Sequence, residues 1–437
     1  MTSIRDGQFK LNEFLLIDAT AKTIDCGKVE DLTPLCVQAN IYESILEPCV
    51  RAQFEFYDAK GLFENLKLDQ KKIIIDFTTN EDNPKSSIRY EFYILGTPKR
   101  ISPPDDKASV FKVECVTYEA LANPNILNAG LSLKNKEAEN VVKAQLQLIT
   151  TETTITGTKP FFAEKTRGLH AFNFTVSTPF NCIDQIRLDY AMSREFNGHA
   201  FFFFENKYGF VFKSMEMLIR EGIKNIGDKC FTQSTLANLN VTGAKWRNIL
   251  TAKLIQNGNE GIARQIGAGV GEIQEKNKVT GKIIKFVVDS TRLEFETLNK
   301  GSISTTLKAQ NEKAKDGNIS NLKLIDFNPK ISSISNAEKL LHMPLYVAHF
   351  LSVIVQITIY GDSTITVGDV IHCKFPEATG LTKGEKNPVN ENSAMTTGNY
   401  MVAKCRHMLT FNEKAEYAQG LELVKDGIGG IQEPEAN

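Results

Sequence analysis

One Trp, no CxxC pair and no apolar run of membrane-spanning length are the first features of this 437-residue chain. A spanning helix needs about 20 consecutive apolar residues, so no membrane insertion is expected. GxxxxGK[ST], HExxH and GxSxG are all missing, and with them the usual sequence grounds for a P-loop, a zinc protease or a serine hydrolase. Charge of one sign is missing too. With 51 Lys and Arg against 52 Asp and Glu, the chain has no electrostatic footprint for non-specific binding to nucleic acid or an anionic membrane. Lys71-Lys72, Lys99-Arg100 and Arg406 therefore read as solvated strand edges, which lysine also protects from stray pairing. The N-terminal MTSIRDGQFK has no apolar core for secretion. The eight Cys are accordingly expected as free, mostly buried thiols in a reducing cytoplasm.

What is present is alternation. In Ile41–Phe77, Val50, Ala52, Phe54 and Phe56 fall on one face and Arg51, Gln53, Glu55 and Tyr57 on the other, a period of two that marks a half-buried strand. A second strand, Ile73–Phe77, follows the break at Asp58–Gly61. The same grammar returns in Leu351–Phe375, where Val353, Val355, Ile357 and Ile359 share a face opposite Gln356, Thr358 and Tyr360. Laid over each other without a gap, the two strands match Gln53 to Gln356 and Tyr57 to Tyr360. Each copy continues into a further strand pair: RYEFYIL and FKVECV in the first, YMVAKCRHML and YAQGLELV in the second. The chain thus reads as two copies of one β module, and 27 Phe fit β-rich cores. The repeated outward residues Gln53, Tyr57, Gln356 and Tyr360 are the candidate interface.

The stretch between the copies has another character. Lys134–Ile149 is rich in helix formers, with Val141, Val142, Leu146 and Ile149 on one flank. Thr178-Pro179 opens a second helix, Thr as N-cap and Pro at the first helical position, with Phe180, Ile183, Ile186 and Tyr190 apolar and Asn197-Gly198 as its end. A hairpin follows, HAFFFFE–NKYG–FVFKS, whose four Phe imply a strand buried on both faces or one meeting another subunit. Phe231 to about Ile255 should begin the second module. Glycine clusters and polar runs then suggest an insertion, and the helix NAEKLLHMPLYVAHF, kinked or split at Pro344, leads back. Residues 377–398 form a long polar loop.

Chemistry-bearing residues are sparse. Gly267–Gly271 is glycine-rich without being GxGxxG, and reads as a flexible loop. His372, Cys373, Cys405 and His407 are the metal candidates. Cys405 and His407 share a strand face, but His372 and Cys373 point opposite ways, so a four-ligand zinc site needs distortion and core packing is expected. His342 and His349 read as structural, and Asp105-Asp106 as a solvated turn. No catalytic residue, cofactor or metal is assigned, and no enzyme is expected.

The segments ILEPCVRAQFEFYDAKGLFENL, STPFNCIDQIRLDYAMSREFNGHAFFFFENKYGFVFKS, ITIYGDSTITVGDVIHCKF and GNYMVAKCRHMLTFNEKAEYAQGLELVKDGIG resemble, in order, the baseplate hub protein of contractile-tailed phages of the T-even type. They also resemble the hub part of type VI secretion spike proteins. The resemblance implies a homotrimer with pseudo-six-fold symmetry that joins the tail tube, or its initiator proteins, to the central spike. Baseplate wedge proteins would surround it, and genomic DNA would pass through its bore without specific binding. It implies a virion component assembled in the host cytoplasm. Alternatives are a tail-tip protein with cell-wall hydrolase activity, the hub of a related contractile injection system, or a nucleic-acid-binding barrel.

The expected class is mainly β with α+β: two related antiparallel β-barrel (tube-like) modules with an α+β domain and an insertion between them. The expected boundaries are 1–122 for the first module with its N-terminal arm and 123–228 for the α+β domain. The second module takes 229–255 and 345–428, the insertion 256–344 and the tail 429–437.

Overall fold

The computed structural model describes residues 7–21, 23–24, 29–58, 71–80, 83, 86–101, 109–128, 132–150, 157–174, 176–233, 247–257, 271–288, 296–299, 321–330, 332–351, 353–376, 396–411 and 415–426. Asp105-Asp106, residues 267–270, most of the 377–398 loop and the tail lie outside them.

The first module comprises β1 (Lys10–Asp18), β2 (Glu30–Asp31), β3 (Cys36–Ser44), β4 (Arg51–Asp58), β5 (Lys71–Thr78), β6 (Ser87–Ile94), β7 (Lys99–Arg100) and β8 (Ser109–Thr117). The alternation in β4 is realised: Ala52, Phe54, Phe56 and Asp58 are buried, while Arg51 and Tyr57 are exposed. Phe54 lies 5.5 Å from Phe14 and 5.9 Å from Phe92, ring to ring, in one phenylalanine-rich core. Each such ring removed from water stabilises the fold by about 1.5–3 kcal/mol.

The middle region holds α1 (Tyr118–Ala122), β9 (Ser132–Lys136), α2 (Ala138–Ile149), β10 (Phe161–Ala163), β11 (His170–Asn173), α3 (Pro179–Gln185), β12 (Phe201–Asn206), β13 (Gly209–Ser214) and α4 (Met215–Lys224). Val141, Val142, Leu146 and Ile149 are buried as expected. The helix starts later than its helix formers suggest, because residues 134–136 pair as β9 with β11. Thr178 makes no side-chain capping bond. Asn123 takes that role, its Oδ1 accepting the Phe180 N–H at 2.8 Å. The helical turns also stop earlier than expected, after a π-helical turn at Ile186–Tyr190, where Ala191 becomes extended and is fully buried. In β12 the four Phe are buried on both sides: Phe201 and Phe203 enter the core of α2 and α3, Phe202 and Phe204 that of the second module.

The second module comprises β14 (Cys230–Thr232), β15 (Ile249–Asn257), then β16 (Gly271–Asn277), β17 (Ile283–Val288) and β18 (Asn321–Phe327) as a small separate sheet. α5 (Ala337–Phe350), β19 (Val353–Tyr360), β20 (Val370–Lys374), β21 (Gly398–Phe411) and β22 (Ala415–Lys425) complete it. α5 runs through Pro344 as one helix and is not split there. No helix among the described residues is long and apolar enough to cross a membrane.

The two modules share a strand order. β3-β4-β8-β6-β5 in the first is matched by β15-β19-β22-β21-β20 in the second. Register is shared as well: Gln53 faces Glu114 and Tyr57 faces Val110, while Gln356 faces Glu422 and Tyr360 faces Ala418. Because a slip of one residue would exchange core and solvent faces, this agreement extends the match seen in the sequence to paired strands. The chain is thus mainly β with an α+β part. The modules do not stand apart as closed barrels among the described residues: one sheet runs through both. The reason is the length of β21, whose 14 residues outrun its own module. Its first part pairs with β20 and its remainder, Lys404–Thr410, with β3.

Candidate subunit interface

The four candidate residues lie on the sheet face turned away from the two cores, but they differ in setting. Tyr57 is half exposed, at 50%. Gln53 spends its amide on Glu55 of its own strand, at 3.3 Å. Gln356 donates across to Glu422 at 3.3 Å. Tyr360 is the departure. It is half-buried, and its ring lies 2.8 Å from where a Cβ on Gly7 would stand, so the N-terminal segment packs against it. Gly7 takes a positive φ of 75°, and its carbonyl accepts the Tyr417 N–H at 2.6 Å. The sequence match of the two tyrosines therefore does not make them structurally equal.

This face carries charge in balanced pairs. Lys99 meets Glu114 at 3.1 Å in the first module, and Lys404 meets Glu422 at 2.8 Å in the second. The two glutamates occupy the same register position. Exposed pairs of this kind contribute about 0–1 kcal/mol each, and Arg406 on the same face turns to Asn40.

Two open edges of the sheet were missed by sequence patterning. At one, β15 pairs only with β19 among the described residues, and exposes Leu250, Leu254 and Ile255 at 43%, 45% and 46%. At the other, in the first module, β7 branches off the main run, pairs only with β8 among the described residues and is flanked by Leu95 and Ile101, exposed at 49% and 52%; the far end of the main run is β2. Open edges with aliphatic side chains invite pairing by another strand. The signal was present in the apolar residues of ILTAKLIQN, but only pairing partners reveal which strand is terminal.

Between these edges lies the seam between the modules, β3 against β21. The metal candidates separate here. His372 and Cys373 face Asn399 and Gly398 at one end of β21, while Cys405 and His407 lie further along it. His372 is engaged by Asn399 Oδ1 at 2.8 Å from its Nδ1. Cys405 and His407 do share a face, and what joins them is Glu43 of β3, which sequence reading passed over. Burial pushes the Glu43 carboxyl up, but bonds and charge from His407, with bonds from Thr366 and Tyr90, outweigh it and leave it below the usual range. The seven described cysteines form no disulfide with one another, and six are buried. His342 donates from Nδ1 to the Asn197 carbonyl at 2.8 Å, a tie between α5 and the middle region.

No protein-family model matches the sequence, and no curated protein sequence matches it. Solved structures do match. The tail protein from Neisseria meningitidis MC58 superposes with a TM-score of 0.52 at 10% identity, over 97% of this chain and 98% of that one. The 43 kDa tail protein of prophage MuSo2 from Shewanella oneidensis gives 0.48 at 9% identity, over 95% and 99%. A Francisella PdpA–VgrG complex gives 0.44 at 10% identity, over 99% of this chain and 55% of that one. At such identity the likeness is one of fold, and the first match extends over nearly the whole length of both chains: this protein has the fold of a tail protein.

Proposed function

We propose that this protein is a structural hub of a contractile tail baseplate, in which copies join edge to edge into a ring. The observation that carries the reading is the seam inside the chain. β21 of the second module pairs antiparallel with β3 of the first. By the shared strand order, the counterpart of β3 is β15 and that of β21 is β6; β7, which follows β6 and pairs with the first half of β8, takes the place of the outer part of β21. β15 and β7 are two of the open edges. Pairing β7 of one copy with β15 of the next repeats the internal seam and covers both of them once the ring closes. The resemblance adds the number: three two-module chains make six pseudo-equivalent positions, joining a six-fold tube to a three-fold spike within the wedge proteins. By the same resemblance the bore passes DNA without specific binding. The role is geometric, and no catalytic step is assigned.

The test is the native mass of the full-length chain, alone and co-expressed with a trimeric spike, followed by class averages in the electron microscope. The expected result is a trimeric ring with six lobes. Leu254→Asp or Ile101→Asp should dissociate it while leaving the monomer folded, because both side chains are already near half exposed. Tyr57→Ala should weaken it less. Rings indifferent to charge at both edges would overturn the reading. Turnover of peptidoglycan, or salt-sensitive binding to single-stranded DNA, would count against a purely structural role.

A further inference from the structure

We propose that Glu43, Cys405 and His407 form a zinc site that clamps the seam between the two modules. Glu43 and Cys405 are direct partners across β3 and β21, and His407 follows two residues on along the same face. Glu43 Oε1 lies 3.4 Å from His407 Nε2, and Cys405 Sγ lies 3.4 Å from the same nitrogen. All three ligand atoms lie within 4.8 Å of one another. At 3.4 Å the Nε2–Oε1 contact is longer than the usual N–H···O distance of about 2.7–3.2 Å. Zinc bonds of about 2.0–2.3 Å at tetrahedral angles set neighbouring N, O and S ligands roughly 3.3–3.6 Å apart. The two separations at His407 Nε2 match the spacing of ligands around a cation, and the third lies within 4.8 Å.

The surroundings supply a second argument, because each ligand is oriented from behind, as metal ligands are. Glu43 Oε2 accepts from Thr366 Oγ1 at 2.5 Å and from the Val367 N–H at 3.1 Å, which leaves Oε1 turned to the seam. His407 Nδ1 lies 2.7 Å from the Tyr417 hydroxyl and 3.3 Å from Gln419 Nε2, and its Nε2 faces Glu43 and Cys405. Gln419 Nε2 lies 3.5 Å from Cys405 Sγ, a donor suited to a thiolate. The Tyr90 hydroxyl donates to the same Glu43 Oε1 at 2.6 Å, through the oxygen's second lone pair. Charge closes as well: on loading, Cys405 gives up its thiol proton, and thiolate and carboxylate together cancel the dication. A neutral cluster is what a site with Glu43, Cys405 and His407 each at most 2% exposed requires. The ion would enter as the chain folds, and would cross-link residues 43 and 405, from opposite ends of the sequence.

The experiment refolds metal-stripped full-length protein with zinc chloride and counts bound zinc by plasma mass spectrometry after desalting. Protein purified from zinc-supplemented cells is counted in parallel, so that a failed refolding cannot hide the answer. The expected result is about one zinc per chain, falling at least roughly five-fold in Cys405→Ala and unchanged in Cys230→Ala. Cobalt in place of zinc should show a thiolate-to-cobalt charge-transfer band that Cys405→Ala abolishes. Wild-type protein free of zinc in both preparations, or zinc that survives both Cys405→Ala and His407→Ala, would overturn the proposal.

Discussion

Phe203 and Phe204 are neighbours in the chain and belong to different cores, which gives a sharp experiment. Phe203 stacks on Phe210 at 5.7 Å and meets Phe180 at 6.0 Å, in the core built by α2 and α3. Phe204, fully buried, packs under Gly368 and near Leu218, in the core of the second module. Truncation of a buried Phe to Ala costs about 3–5 kcal/mol, the lost transfer energy plus the cavity left behind. Because every 1.4 kcal/mol is tenfold, local opening should rise by roughly two to nearly four orders of magnitude. Hydrogen–deuterium exchange resolved by peptide reads such openings directly. Phe203→Ala should accelerate exchange in Ala138–Ile149 and leave Val353–Tyr360 near wild type. Phe204→Ala should do the reverse, loosening Val353–Tyr360 and Val370–Lys374. If both variants loosen the same peptides, β12 is not a wall between two cores and the reasoning fails.

Two further outcomes are expected. Gly361→Ala places a Cβ 1.9 Å from the ring of buried Tyr417, so it should lower the melting temperature through overpacking of about 1–3 kcal/mol or more; an unchanged melting curve would mean that the ring moves freely. Burial raises the Glu216 carboxyl to about 7, against hydrogen bonds from the Gly198 and Glu296 N–H groups. Between about 4.5 and 7 the folded chain keeps a proton that the unfolded chain has shed, so this contribution to stability is full below that window and lost as pH rises through it. Glu216→Gln cannot titrate, and its melting temperature should fall less than that of wild type between pH 5 and pH 7.5. Parallel slopes would refute the assignment.

Much of the secondary structure could be read from local pattern, because period-two burial and helix flanks are properties of a few adjacent residues. Val50 to Phe56 and Val353 to Ile359 turned the expected side chains inward. The duplication was legible for the same reason, since matched strands preserve their alternation. Helix ends were less legible, as the cap on α3 comes from Asn123, more than 50 residues away in the chain.

Sequence by itself therefore determined which faces are apolar, that a β module occurs twice, and that no catalytic signature accompanies it. Only tertiary structure decided that β21 bridges the modules, that β15 and β7 leave open edges, and that Tyr360 is covered where Tyr57 is not. It also decided that Glu43, an ordinary strand glutamate in sequence, is buried beside Cys405 and His407 and held by Thr366 and Val367. Faces follow from the geometry of a single strand. Edges, seams and buried polar clusters follow from which strands meet, and here the partners are separated by more than 300 residues.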